Sequence, residues 1–249
     1  MKKTTLLTTA LAQLASAAVL WDGRFNDLGT SADLDKWSWS NQVGPYLNFS
    51  PDYKNPADAG SKQGAKFTLD GTAFWNGQNM RRTELIPQTA AAAAISRGRV
   101  FYHFSLMRAA ANAPSAAREH QICFFESHFA EMKYGWISGE QGTENPNLQF
   151  MVSQGSRWKA EWAPGVWHNV AFEIDFDSNT VGFWHSEGAE PLERVVAPVP
   201  ASTSSNGADW HLGVLELPRS GYSDETEDFY FSGVYIEDGE ITTEIGGPG

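Results

Sequence analysis

The sequence predicts an all-β fold, a two-sheet antiparallel sandwich of the jelly-roll type with a concave cleft. Apolar and polar residues alternate with a period of two along most of the chain, whereas helical periodicity is almost absent. Turn residues (Gly, Pro and Asn) separate about nine or ten predicted strands, as in sandwich and jelly-roll domains. A chain of 249 residues fits one such domain with a sizeable core, so folding requires neither a disulfide nor a structural metal.

Residues 1–17 have the pattern of a secretory signal peptide. Lys2 and Lys3 precede a short apolar stretch, and Ala15-Ser16-Ala17 supplies the small residues of a cleavage site. The stretch is too short to span a bilayer, and no later segment reaches ~18 consecutive apolar residues. We therefore predict a secreted, extracellular protein that is not held in a membrane. The predicted organisation is a signal peptide over 1–17, one domain over 18–245 and a flexible tail over 246–249.

The predicted strands follow one another along the mature chain with short turns between them. The clearest hairpin begins with Val170, Phe172 and Ile174, which alternate with polar or small residues before a turn. Five alanines at 90–94 fit either one helical turn or a loop, and 109–117 is predicted to be an exposed connection. The strands cover residues 64–70, 79–87, 99–107, 120–129, 147–153, 170–176, 180–185, 209–217 and 228–236.

The composition excludes nucleic acid as a partner. The 18 basic and 30 acidic residues give a net charge of −12, and no basic cluster exceeds the pair Arg81-Arg82. The single Cys123 cannot form an internal disulfide, and the apolar run around it predicts a small buried side chain. Asn48 begins the one N-x-S/T acceptor, so it is the candidate site for a glycan.

Two predicted strands each place a carboxylate on a face with other polar side chains, because side chains alternate across a strand. Surface ion pairs account for an isolated strand glutamate more often than catalysis does, so the spacing alone leaves both interpretations open. The two polar faces are Arg82 with Glu84, opposite Arg81, Thr83 and Leu85, and His120 with Glu126 and His128.

The 10 tryptophans are more than one core usually needs. Most are expected in the core, but Trp and Tyr rings also stack well on the apolar faces of sugars. Trp75 is the best candidate for a sugar contact, because Asn76 and Gly77 mark an exposed turn just before the strand of Glu84.

Metal, nucleotide and serine-hydrolase chemistry receive little support. His120 and His128 with Glu126 have no established ligand spacing, and the acidic run 224–228 lacks the ligand order of an EF-hand and predicts a solvated loop. No G-x-S-x-G, P-loop or G-x-G-x-x-G motif occurs. We expect neither a metal nor a cofactor.

Five segments resemble glycoside hydrolase family 131, the secreted fungal β-glucanases. They are VLWDGRFND at 19–27, LNFSPDYKNPADAGSKQ at 47–63, TAFWNGQNMRRTELIPQT at 72–89, HQICFFESHFAEMKY at 120–134 and WHLGVLELP at 210–218. The similarity extends over essentially the whole mature chain in unbroken order. It implies a β-jelly roll that cleaves β-1,3-, β-1,6- and β-1,4-glucans with an inverting pair of glutamates.

By motif, the resemblance places the catalytic glutamates at Glu84 in RRTEL and at Glu126 in FFESHF, with Glu119 and Glu131 as nearby alternatives to Glu126. Neighbouring arginines favour an ionised Glu84, which suits the base, and aromatic neighbours of Glu126 would raise its pKa, which suits the acid. We expect a monomer that binds β-glucan polysaccharides or oligosaccharides. The expected substrate contacts are Arg82, Trp75, Asn76, Gln78, His128, Lys133, Tyr134 and His211.

Two other functions stay open on the sequence. The segments R-T-E-L and H-Q-I also resemble signatures of jelly-roll lyases that act on uronate polymers, in which cations neutralise the uronate and a Tyr or His is the base. The residues available to such a lyase are Arg82, Gln121, His120 and Tyr134. A non-catalytic carbohydrate-binding module would use the aromatic side chains alone.

Overall fold

A computed structural model describes residues 17–34, 37–38 and 43–248, and within them fifteen strands form two antiparallel sheets. The predicted signal peptide lies outside the described residues except for its last position. The strands are β1 (Ala18–Asp22), β2 (Trp37–Ser38), β3 (Leu47–Ser50), β4 (Gly64–Leu69), β5 (Arg81–Pro87), β6 (Arg99–Arg108), β7 (His120–Phe125), β8 (Ala130–Tyr134), β9 (Asn147–Val152), β10 (Gly155–Glu161), β11 (His168–Asp175), β12 (Thr180–Glu187), β13 (Glu193–Pro200), β14 (Trp210–Glu216) and β15 (Glu227–Asp238).

The two sheets have the crossed strand order of a jelly roll, which confirms the predicted fold class. The back sheet runs β13-β12-β11-β6-β15-β4-β3, with β1 also paired to β15. The front sheet runs β10-β9-β8-β7-β14-β5-β2. In the front sheet β14 lies between β5 and β7, so residues that are far apart in the chain meet across its centre.

Aromatic side chains from both sheets form the core between them. The Tyr102 ring of the back sheet lies 5.0 Å from the Trp210 ring of the front sheet, and Phe150 stacks on Phe183 at 4.2 Å. Trp162 and Trp210 are fully buried, as expected for most of the tryptophans. Each buried aromatic ring contributes roughly 4–6 kcal/mol of transfer free energy before entropy is subtracted. The sheets are thus held together without a disulfide, and Cys123 is free and buried.

The predicted strands are all present, but several others were missed. β13 is exposed along most of its length at the edge of the back sheet, so its sequence lacks the alternation that marks a half-buried strand. The predicted strand 120–129 is a strand only over 120–125 (β7), and its last four residues form a tight turn that leads into β8. Residues 92–95 form one helical turn, α1 (Ala92–Ile95), and short 3₁₀ turns lie at Ser31–Asp33, Gly44–Tyr46, Pro51–Tyr53 and Thr89–Ala91. Within the described ranges, no helix is long and apolar enough to cross a membrane.

A β-bulge in the pairing of β14 with β7 corrects the predicted polar face of β7. Cys123 has φ +48°, and the pairing of β7 with β14 shifts register between His211 and Val214. Leu212 and Gly213 of β14 lie opposite the single Cys123 of β7, and the alternation of β7 reverses there, so Phe124 faces outward although His120 is fully buried on the inner face. The prediction that His120 shares a face with Glu126 and His128 is therefore wrong.

Buried charges cluster at one end of the sandwich. Arg81 and Arg118 both pair with Glu216, and His120 Nε2 lies 2.7 Å from Glu227 Oε2. All five side chains are at most 2% exposed, so each charge requires its partner. This network links β5, β7 and β14 on their inner side. The outer side of the same strands carries a different set of polar groups.

The acidic run 224–228 is a solvated loop, as predicted, only over residues 224–226, which are exposed. Glu227 and Asp228 begin β15 and are buried. Asp228 accepts hydrogen bonds from Thr68 Oγ1 at 2.6 Å and from Asn112 Nδ2 at 2.8 Å. Likewise, the connection 109–117 contains no strand or helix, as predicted, but its end is buried at Ala117.

Candidate active site

Arg82 and Glu84 lie on the outer face of β5, opposite the buried Arg81, Thr83 and Leu85. This is the alternation that the sequence predicted. The Glu84 side chain is 8% exposed, and Arg82 Nη1 lies 3.6 Å from Glu84 Oε2. Within the described residues, Glu84 Oε1 is buried without a hydrogen-bond partner.

His211 of β14 lies between Glu84 and Glu126. Its Nδ1 is 2.9 Å from Glu84 Oε2, and its Nε2 is 3.0 Å from Glu126 Oε1, although this second contact is not aligned as a hydrogen bond. Because one imidazole ring separates the two contacts, the facing carboxylate oxygens lie within about 8 Å of each other. The Phe124 ring stacks on His211 at 4.7 Å and an interplanar angle of 13°, which fixes the ring plane.

Glu126 lies in the tight turn after β7, and its side chain is 61% exposed. The turn is held by the Glu126 amide, which donates to Asp209 O at 2.9 Å, and by the His128 amide, which donates to Phe125 O at 2.7 Å. The apolar surroundings expected from the aromatic neighbours of Glu126 are absent, because Phe124 and Phe125 are buried and pack elsewhere.

Glu131 and Glu119, the alternatives to Glu126, both form ion pairs with side chains other than His211. Glu131 is buried on the outer side of β8, where Oε2 lies 3.0 Å from His128 Nδ1 and Oε1 lies 3.6 Å from Lys133 Nζ. Lys133 Nζ donates to Glu119 Oε1 at 2.6 Å. The hydrogen bond to Glu131 raises the pKa of His128. The Phe124 ring lies between these charged side chains and the cluster of His211, Glu84 and Glu126 (the His211 cluster). It stacks on His128 at 5.5 Å and on His211.

Trp75 and Gln78 border the other side of the cluster. The Arg82 guanidinium carbon lies 5.5 Å from the centre of the Trp75 ring, and Arg82 Nη2 donates to Gln78 Oε1 at 2.7 Å. Asn76 is exposed with φ +49° and Gly77 has φ +73°, as befits the predicted turn. The loop thus presents a half-buried indole beside the charged groups.

Tyr134 is not in this cleft. It is buried on the inner face of β8, and its ring lies 5.0 Å from Trp162 and 5.8 Å from His120. The expectation that it contacts substrate is therefore wrong, because its position in β8 alternates with the outward-facing Lys133.

The outer face of the front sheet thus brings together most of the residues that the sequence indicated. Sequence reasoning placed His211 elsewhere along the cleft and missed its position between the two glutamates. No local signal in the sequence shows that position, since it depends on the pairing of β14 with both β5 and β7. The side chains that meet on this face are Trp75, Gln78, Arg82, Glu84, Glu126, His128, Lys133 and His211.

Two groups of His and carboxylate side chains in the described part of the chain could hold a metal ion. They are His168 with His185 and Glu187, and His120 with Glu216 and Glu227. Both lie away from the His211 cluster. The outer face itself carries carboxyl and imidazole groups, which are side chains that can supply acid–base chemistry.

Comparison with known proteins gives matches over nearly the whole chain. Residues 19–242 match the family model described as the glycoside hydrolase 131 catalytic N-terminal domain. The crystal structure of a GH131 β-glucanase catalytic domain from Podospora anserina is 63% identical, with a TM-score of 0.88 over 92% of this chain and 100% of that chain. The catalytic domain of the glycoside hydrolase family 131 protein from Coprinopsis cinerea is 46% identical, with a TM-score of 0.81 over 92% and 98%.

More distant similarity concerns the fold alone. An alginate lyase of polysaccharide lyase family 7 is 13% identical, with a TM-score of 0.52 over 84% of this chain and 88% of that chain. None of the curated protein sequences matches the chain.

Proposed function

The chain belongs to glycoside hydrolase family 131, and on that premise we propose that Glu84 and Glu126 are the pair with which it hydrolyses β-glucans. The enzyme class and the β-glucan substrate follow from the family. The proposal adds the residues, their roles, the inverting course and the range of β-1,3, β-1,6 and β-1,4 linkages. It also includes secretion of a monomer, for which the N-terminal pattern is the support.

The observation that carries the assignment is the position of His211 between the two carboxylates. Glycosidic cleavage needs one carboxylic acid to protonate the leaving oxygen and one carboxylate to activate the attacking group. Glu84 and Glu126 contact opposite nitrogens of one ring on the outer face. Glu119 and Glu131 instead lie against Lys133 and have no such contact.

The same ring supports different roles for the two glutamates. The Nδ1 contact with Glu84 is a hydrogen bond, whereas the Nε2 contact with Glu126 is not aligned as one, so the ring joins the two glutamates unequally. Glu84 also faces Arg82 at 3.6 Å, and a cation beside this side chain suits the proposed role of base. Glu126 is then the acid, and because it is 61% exposed in the free enzyme, its desolvation depends on the sugar that covers it.

The contacts with His211 limit the facing oxygens of Glu84 and Glu126 to about 8 Å, which admits the inverting course that we propose. Inverting sites place the two carboxyl groups about 6.5–9.5 Å apart, which leaves room for a water, whereas retaining sites place them at about 5–5.5 Å. The choice of inversion comes from the family resemblance, and the contacts on both sides of the His211 ring agree with it because they bring the two glutamates to one place on the outer face.

Groups on both sides of the cluster support binding of several sugar units. The Trp75 ring provides an apolar face of the kind that stacks on pyranose rings. Gln78 and Arg82 on one side, and His128 and Lys133 on the other, supply hydrogen-bond donors for hydroxyl groups.

The experiment is proton NMR of the first-formed sugar released from laminarin, combined with reducing-end assays on β-1,3-, β-1,6- and β-1,4-glucans. Inversion of a β-glucan requires an α-anomer as the first product. A β-anomer would contradict the inverting course but leave the glucanase activity intact. Failure to release reducing ends from any of the glucans would contradict the proposed function itself.

The two alternative functions are disfavoured. A lyase base at His120 or Tyr134 would have to reach substrate, but both side chains are buried on the inner face. A lyase would also release an unsaturated product that absorbs in the ultraviolet, which the same assay detects. A purely binding module is disfavoured because the matched family model is a catalytic domain.

A further inference from the structure

Three ligand-type side chains meet at one end of the back sheet, outside the proposed active site. His168 opens β11, and Glu187 lies directly opposite it at the end of β12. His185 is two residues before Glu187 and therefore points to the same face, diagonal to His168. This face is turned towards the front sheet, where the Trp158 ring of β10 lies 4.3 Å from His185.

The distances in this group suit a single small cation. His168 Nδ1 lies 3.0 Å from His185 Nε2 and 4.0 Å from Glu187 Oε1, and one ligand atom from each residue falls within 4.8 Å of the others. Zinc is bound at 2.0–2.1 Å by imidazole nitrogen, so two nitrogens on one tetrahedral zinc ion stand about 3.3 Å apart. Small side-chain movements, chiefly of the 56% exposed Glu187, would complete three ligands.

The charge state of the group also suits a cation. The hydrogen bond between His168 Nδ1 and His185 Nε2 requires that the ring which accepts it be neutral, and binding of a cation by both nitrogens would displace the shared proton to another ring nitrogen or to water. In the described part of the chain, no lysine or arginine forms an ion pair with Glu187. The other His–Glu group differs, because Arg81 and Arg118 already neutralise Glu216 there.

We propose that His168, His185 and Glu187 bind a divalent transition-metal cation such as Zn²⁺ or Cu²⁺, with water in the remaining positions. Two imidazoles and one carboxylate are donors that these ions accept. The ion would join β11 to β12 beside β10 of the front sheet. It would therefore stabilise the folded chain through its preferential binding to the native state.

The test is isothermal titration of the chelator-treated chain with ZnCl₂, comparing the natural sequence with His185→Gln, Glu187→Gln and His128→Gln. We expect one saturable site in the natural sequence and in His128→Gln, which changes a cleft histidine. His185→Gln should weaken binding at least 10-fold, and Glu187→Gln, at an exposed position, should weaken it without affecting folding. Circular dichroism verifies that each variant is folded.

Electron paramagnetic resonance with one equivalent of Cu²⁺ identifies the ligands independently. In the natural sequence we expect the Cu²⁺ signal to show hyperfine splitting from two imidazole nitrogens. In His185→Gln this two-nitrogen pattern should be lost. The proposal is overturned if the natural chain binds neither ion, which would leave the two histidines as a hydrogen-bonded pair. It is also overturned if His185→Gln binds as tightly as the natural sequence, which would place the ion elsewhere.

Discussion

At the scale of single residues, one histidine organises the site. His211 contacts Glu84 at 2.9 Å and Glu126 at 3.0 Å, and Phe124 fixes its plane by stacking. The two glutamates differ in exposure, 8% against 61%, so the same side-chain type has two environments within one cluster. The separate base and acid roles proposed for them rest on Arg82 beside Glu84 and on the sugar that would cover Glu126, and not on this difference in exposure.

Glu84→Gln and Glu126→Gln should each lower glucanase turnover by at least ~10²-fold, because an amide can neither accept nor release the catalytic proton. The amide is nearly isosteric with the carboxyl group, so the thermal midpoint should change little. Initial rates on laminarin measure the effect. Glu161→Gln, at an exposed position of β10, is the matched control and should be as active as the natural sequence. Full activity of Glu84→Gln or Glu126→Gln would remove that residue from the assignment.

Trp75→Ala should raise KM about 10-fold while kcat changes much less, because the indole lies over Arg82 and offers a sugar ring an apolar face without supplying a group that transfers protons. Steady-state kinetics on a soluble β-glucan separates the two parameters. An unchanged KM would show that the substrate does not extend over this ring.

At the scale of elements, the β7–β14 bulge decides which side chains face the cleft. Gly213 has φ +130°, and a Cβ at this position would lie 2.2 Å from Thr83 O on the neighbouring β5. Only glycine adopts this conformation without strain, so it permits the close approach of β5 and β14 that brings His211 to Glu84.

Gly213→Ala should therefore lower the free energy of unfolding by at least ~2 kcal/mol, since it adds both backbone strain and a steric clash. Gly139→Ala is the matched control, because Gly139 also has positive φ (+94°) but open space around its Cβ position. Its cost should be about 1 kcal/mol, from the backbone alone. Urea denaturation measures both values. Equal losses for the two variants would mean that the contact with β5 does not matter.

At the scale of the whole molecule, the N-terminal segment and the folded domain make separate predictions. Exported protein should begin at Ala18 or Val19, because Lys2 and Lys3 with the Ala15-Ser16-Ala17 site direct cleavage there. It should contain no disulfide and at most one glycan, at Asn48, which is exposed in β3. N-terminal sequencing and intact-mass measurement of protein from culture fluid test this. Recovery there of a chain that retains Met1 would contradict it.

The sequence by itself determined the fold class and most of the cleft. Alternation placed Arg82 and Glu84 on one face of β5, and turn residues placed Trp75 in the loop before it, because both signals are local. The tertiary structure decided the rest. The bulge at Cys123 turned His120 inward, and the position of β14 between β5 and β7 put His211 between the glutamates. Neither could be predicted, because strand order and register depend on pairing between segments about 90 to 130 residues apart, where local propensity carries no information.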